Sequence, residues 1–412
     1  MNTRQSAVFV ISLFLITCTD VIGCTTFIIS GKHTPDGKPI LYKNRDTDEM
    51  QNSLVFFTDG KYRYIGLFDG NEYFSTMVWG GYNETGFAIM NSAAYNNNIG
   101  DTTKFKDQEG VVMKLALQTC RTVEDFENLL RTLPKPLGVD ANFGVIDAYG
   151  GAAFYETGNY RFIKFDANDP NVAPDGILIR TNHSLSADIT KGFGFSRYNT
   201  AAMALRKAVQ EKNFSPLYLF NNISRNLYHS LTKTDLSADL PENKDTRAFK
   251  FFIDYIPREM TASAIMIVGA NSEKHVNEAM MWTILGFPLT SVAIPVWISA
   301  GNNLPQVVTP NDSLRSPICV AALKLKEDCF PITYDRGYNY LNLSAVLNKE
   351  NTGYMQLLQP VENKIFEKTD QLCDGLENGK KTEKDILVFY DWIDKYLSDK
   401  YKYLFNIQLT GI

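Results

Sequence analysis

The stretch CTTFIISGKHTPDGKPILYKNRD, residues 24–46, decides the fold. Two apolar runs, "TTFIIS" and "ILYKNRD", flank the turn-forming "TPDGKP", which is the pattern of a β-hairpin. Side chains alternate along a strand, so Lys43 and Arg45 share one face and Asn44 and Asp46 the other. The reading favoured here turns the Asp46 face toward Cys24 at the start of the hairpin.

Upstream of Cys24 the chain has the form of an export signal. Arg4 precedes an apolar run from Ala7 to Ile16, a polar stretch with Asp20 follows, and Val21 and Gly23 suit cleavage before Cys24. Residues 1–23 are therefore expected to be removed, leaving a periplasmic or secreted protein. The run is short for a membrane span and no later stretch approaches the roughly 18 to 20 apolar residues required, so no stable membrane insertion is expected. Val-Ile-Gly-Cys also fits the sequence after which bacterial lipoproteins are acylated, which makes a non-catalytic lipoprotein anchored through Cys24 the rival reading.

Charged residues at 21 % and aromatics at 12 % of 412 residues indicate a globular protein with a sizeable core. Arg4 and Asp20 cancel, so the net charge of −5 persists after cleavage, and no basic tract invites nucleic acid. Cys24, Cys120, Cys319, Cys329 and Cys373 remain. An odd number in an exported protein leaves one thiol over, and Cys24 is the natural odd one. Cys319 and Cys329, ten apart, are candidates to close a small loop, and Cys120 is expected to be buried packing. Neither CxxC nor HExxH occurs and the four histidines are scattered, so no metal and no cofactor is assigned.

Downstream, "YRYIGLF" and "YFSTMVW" read as further strands and "GGYNETG" as a turn feeding "FAIMNSAAY". Helical periodicity begins at Glu109. Thr122 with Asp125 resembles a capping box opening "VEDFENLLRTL", which Pro134 ends. "NFGVIDAYGGAAFYET" reads as a hairpin turning at Gly150-Gly151, and Ser196 and Ser215-Pro216 as helix starts. Strands return in "SAIMIVGA", "AMMWTIL" and "SVAIPVWISA", and the tail from about Thr352 is an amphipathic helical region. Sheet, helices, sheet, helices in one chain predict a layered α+β domain over 24–350, with 351–412 a helical C-terminal extension packing on it.

If proteolysis frees Cys24, its α-amine titrates near ~7.7 to 8.0 and can accept the thiol proton, so one residue supplies nucleophile and base. Asp46 is a candidate anchor for that amine. Asn91 and Asn182, carboxamides at the ends of apolar strands, are candidate donors to a tetrahedral oxyanion, and Arg197, opening a helix after "GFS", is a candidate partner for a carboxylate in the site. Taken one at a time, each is equally an ordinary turn, strand-end or surface residue.

In order and spacing, "GCTTFIISGKHTPDGKPILYKNRD", "GGYNETGFAIMNSAAYN", "IRTNHS" and "FSRYNTA" resemble the linear-amide C–N hydrolases of the N-terminal nucleophile superfamily, which include choloylglycine hydrolases and penicillin acyltransferase-like C45 peptidases. The resemblance implies a four-layer αββα sandwich of two mostly antiparallel sheets, a small-molecule N-acyl amide as substrate, and a thioester resolved by water or by an acceptor amine. By position it makes Cys24 the nucleophile, Asp46 the carboxylate near its amine, Asn91 the asparagine after "NETG", Asn182 the oxyanion asparagine of "TN" and Arg197 the arginine of "SRY". Lys43 stands where choloylglycine hydrolases carry arginine, which favours the C45-like side. The opening "CTT" with "DG" is also similar to C69 dipeptidases. A homo-oligomer is compatible with all of these readings.

Overall fold

The computed structural model describes residues 23–70 and 76–409; the leader expected over 1–23 lies outside them except for Gly23. The first hairpin forms as read. Strand β1 (Cys24–Ile29) pairs antiparallel with β2 (Ile40–Asp46) through a turn over residues 30–39. The expected strand "YFSTMVW" falls partly outside the described residues, and 76–79 are irregular.

A second sheet of seven antiparallel strands follows in chain order: β3 (Ser53–Phe57), β4 (Tyr64–Phe68), β5 (Gly81–Asn83), β6 (Ala88–Ala93), β7 (Ala141–Ile146), β8 (Ala152–Thr157) and β9 (Phe162–Asp166). The turn read at "GGYNETG" is shorter than expected, because Gly81–Asn83 belongs to the sheet and Asn83 Oδ1 closes the turn by accepting from Thr85 and Phe87. The first sheet is completed by β10 (Ile177–Arg180) and by the later strands Thr261–Val268, Met280–Leu285 and Ile294–Val296, all antiparallel. Of "SVAIPVWISA", only the three residues Ile294–Val296 are strand.

The two sheets face each other. Gly144 on β7 makes that approach possible, since a Cβ there would press on Leu41 of β2 at 3.0 Å. Helices α1 (Glu109–Thr119) and α2 (Val123–Thr132) cover the far side of the second sheet, with Val112, Met113, Phe126 and Leu130 packed on Phe87, Phe143 and Tyr155. On the far side of the first sheet lie α3 (Phe195–Glu211) and the helices Pro317–Cys329, Tyr354–Glu377 and Glu383–Phe405. Residues of the last two helices, Ile365 and Ile393 among them, share one buried cluster with Phe27 and Leu41 of the hairpin. The architecture is α+β, a four-layer αββα sandwich.

Two local readings need correction and one can be tested. Cys319 and Cys329 occupy the same straight helix, Pro317–Cys329, where ten residues rise about 15 Å; both are free thiols and cannot meet. Helix α3 begins at Phe195 with Gly194 as its cap, so Ser196 lies inside the first turn. The capping box is as read: Thr122 Oγ1 accepts from Asp125 N at 3.0 Å and Asp125 Oδ2 accepts from Thr122 N at 3.0 Å. Thr122→Ala is expected to cost about 1 kcal/mol of folding stability, read as a lower denaturant midpoint at unchanged slope.

Candidate active site

The hairpin delivers Cys24 to the end of the sandwich. In the β1–β2 register Cys24 stands opposite Arg45 and Thr26 opposite Lys43. Paired residues of antiparallel strands point to the same side, so the face that accompanies Cys24 carries Lys43 and Arg45, not Asp46. This reverses the expectation from sequence, where the alternation was right and only the register was missing. A cavity of about 560 Å³ opens there, lined by Cys24, Lys43, Arg45, Asp46, Trp79, Asn91 and Tyr95 among others.

Cys24 is 7 % exposed. Its backbone nitrogen donates to Asn182 Oδ1 at 3.1 Å. Asn182 is held at both ends: its Oδ1 also accepts from Arg197 Nη2 at 2.7 Å, and its Nδ2 donates to Ala93 O at 2.9 Å. Asn182 thus meets the nitrogen of Cys24 as an acceptor, a contact the reading from sequence did not expect, while Ala93 O takes one of its two Nδ2 hydrogens. Arg197, buried, donates from Nη1 to the carbonyl oxygen of Cys24 at 2.6 Å and from Nε to Asp254 Oδ1 at 3.0 Å. It fixes the backbone of the nucleophile candidate and the amide of Asn182 with one guanidinium.

Asp46 also departs from its expected role. Its oxygens accept from Arg258 Nε at 2.6 Å and Thr261 Oγ1 at 2.7 Å, and it makes no bond to the nitrogen of Cys24 among the described residues. Asp46 therefore anchors Arg258, a residue that the sequence reading missed. Arg258, Asn182 and Arg197 together enclose Gly23, where an added Cβ would collide with all three. A side chain at the residue before Cys24 would have to push these three groups aside. Gly23→Val is expected to displace these groups and lower the yield of chain starting at Cys24 several-fold, measured by intact mass of the exported protein.

Asn91 faces the opposite wall. Its Oδ1 accepts from Lys43 Nζ at 2.7 Å, and Lys43 Nζ also donates to Trp79 O at 2.9 Å. A lysine donates only, so this bond assigns the amide orientation and leaves Asn91 Nδ2, with no acceptor among the described residues, to the cavity. Burial pulls the Lys43 ammonium down to about 8, and the neighbouring Cys24 partly offsets that shift. Arg45 is fixed beside it by Asp69 at 3.1 Å and Asn52 at 2.9 Å, with Trp79 stacked at 4.8 Å from its guanidinium. Trp79, Tyr95, Asp254 and Arg258 come from segments whose only sequence signal is a polar or aromatic residue beside an apolar run.

Among the described residues, no group of three or more His, Cys, Asp or Glu is arranged to hold a metal, and no helix is long and apolar enough to cross a membrane.

Residues 33–235 match the family described as acyl-coenzyme A:6-aminopenicillanic acid acyl-transferase. A search of curated proteins gives no match. Among solved structures, penicillin V acylase from Agrobacterium tumefaciens is similar at 14 % identity and a TM-score of 0.40, over 67 % of this chain and 86 % of that one. A variant of conjugated bile acid hydrolase from Clostridium perfringens is similar at 12 % identity and a TM-score of 0.43, over 68 % of this chain and 94 % of that one. That family match takes in β2 with Lys43 and Asp46, the strand β6 that carries Asn91 and the segment carrying Asn182 and Arg197, and begins after Cys24, so over residues 33–235 the chain is similar to the acyl-coenzyme A:6-aminopenicillanic acid acyl-transferase family.

Proposed function

We propose that this protein is an exported amidohydrolase in which removal of residues 1–23 leaves Cys24 as nucleophile and base together. The observation that carries the reading is the nitrogen of Cys24 held on Asn182 Oδ1 at 3.1 Å, at the edge of a cavity into which Asn91 Nδ2 is free to donate. Cleavage converts that nitrogen from a peptide N–H into an α-amine, and Asn182 is equally suited to accept from either.

The thiol proton of Cys24 passes to its amine as Sγ attacks the carbonyl carbon of an N-acyl amide. Asn91 Nδ2 donates to the developing oxyanion. Collapse breaks the C–N bond, the amine of Cys24 returns the proton to the leaving nitrogen, and the acyl group stays on sulfur as a thioester. Water then releases the acid. An acceptor amine in place of water gives acyl transfer, the second reading, which the similarity to an acyl-transferase family favours. Arg197 and Asn182 act here as positioning residues for Cys24.

The test is to incubate the exported protein with a panel of N-acyl amides, quench in acid and weigh the peptide that begins at Cys24. The expected result is a free N-terminal cysteine before substrate and an acyl adduct on it afterwards. A diacylglyceryl adduct on Cys24 instead would identify the lipoprotein and sink the proposal.

A further inference from the structure

Part of the wall lining the Cys24 cavity is acidic. Asp101, Asp107, Glu109 and Asp140 all line it. The ion pairs at this cavity join Arg45 to Asp69 and Arg258 to Asp46; none among the described residues takes in any of these four carboxylates. Lys106, the one cation beside these four among the described residues that line the cavity, is exposed, and its charge favours the ionised forms of Asp101 and Asp140. Glu109 Oε1 accepts from Asp140 N at 2.8 Å, which fixes the two side by side, while Asp101 is held by Thr103 and Asn159. Burial pushes the Glu109 carboxyl up, with the charges of Asp107 and Asp140 adding to it; burial also raises Asp140. Two carboxyls held side by side and partly dry, as Glu109 and Asp140 are, stand in an arrangement that a bound cation relieves.

A second observation ties the wall to a ligand. Asn91, 5 % exposed, presents an Nδ2 with no acceptor among the described residues to the same cavity. That donor and Cys24 mark where a carbonyl sits, and the acidic wall lies within the same 560 Å³ enclosure.

We propose that Glu109 and Asp140, with Asp107 and Asp101 beside them, bind a protonated amino group of the substrate, so that the enzyme selects N-acyl amides carrying a cation. The inference rests on Cys24 acting as the nucleophile and adds the class of substrate. Cation and carboxylate attract in a medium drier than bulk water, and a neutral isostere instead leaves the carboxylates unpaired. Met77, Trp79 and Tyr95 supply apolar surface for the chain between amide and amine.

The test compares two pairs of amides on the mature full-length enzyme: aminohexanoyl against heptanoyl p-nitroanilide, and hexanoyl-cadaverine against hexanoyl-hexylamine. The cationic member of at least one pair is expected to have about tenfold higher kcat/KM. Glu109→Gln combined with Asp140→Asn should bring that ratio close to one, and Asp107→Lys, on an exposed residue, should lower it several-fold without depending on how the double variant folds. Neutral members equal or superior in both pairs, or a preference that survives both variants, would overturn the proposal. Turnover that persists in Cys24→Ala would instead overturn the nucleophile reading. The wall is then read without turnover, from the rates at which cationic and neutral methanethiosulfonates modify Cys24. Their ratio is expected to fall about tenfold in the double variant, and an unchanged ratio would refute the cation subsite.

Discussion

Cys24→Ala is expected to reduce amide turnover by a factor on the order of 10⁶, the loss seen when the nucleophile of a cooperating unit is removed, while leaving the folded state intact. Cys24 is nearly buried at the start of β1, and its side chain contributes little to the apolar cluster that Phe27 and Ile28 complete. A second form of the protein isolates the base. If Gly23 is retained ahead of an intact Cys24, the thiol is present but the nitrogen beside it is a peptide N–H that cannot accept a proton. That chain is expected to be as inactive as the alanine variant, although Asn182 still holds its nitrogen. Circular dichroism and denaturant midpoints would establish that both are folded. Turnover within about tenfold of the mature enzyme by either form would remove Cys24, or its amine, from the mechanism.

What could be read from sequence divides along a physical line. Alternation within one strand is local, so the separation of Lys43 and Arg45 from Asn44 and Asp46 was legible. Which face meets Cys24 depends on the register Cys24 to Arg45, which a ten-residue turn sets and which flips every side chain when it slips by one. Asn182 and Arg197 were each legible as candidate site residues, but the bond between them was not, because a carboxamide is donor and acceptor at once and only Ala93 O and Arg197 decide which end is which. Arg258 lies 212 positions from Asp46 and has no motif around it. The spurious Cys319–Cys329 loop came from counting cysteines without reading "PICVAALKLKEDC" as a helix, whose rise separates them.

Asn91→Ala is expected to lower kcat by about 10² to 10³, the usual loss on removing one oxyanion donor, with a smaller effect on KM because the ground-state carbonyl gains less from that N–H than the transition state does. The sharper form of the prediction involves Lys43. Its ammonium does not reach the reaction by itself; it holds Asn91 Oδ1 at 2.7 Å and so aims Nδ2 into the cavity. Lys43→Met should therefore reproduce most of the Asn91→Ala loss, and the double variant should be scarcely worse than either single one, since both remove the same aimed donor. Fully additive losses would mean that Lys43 acts on its own account. The pH profile gives the sign. Activity should rise as the amine of Cys24 loses its proton near ~7.7 to 8.0, and then fall as pH passes about 8, where burial has brought the Lys43 titration and its charge is lost. In Asn91→Ala the aimed donor is gone, so the descending limb that depends on Lys43 should vanish while the ascending limb, which belongs to Cys24, stays.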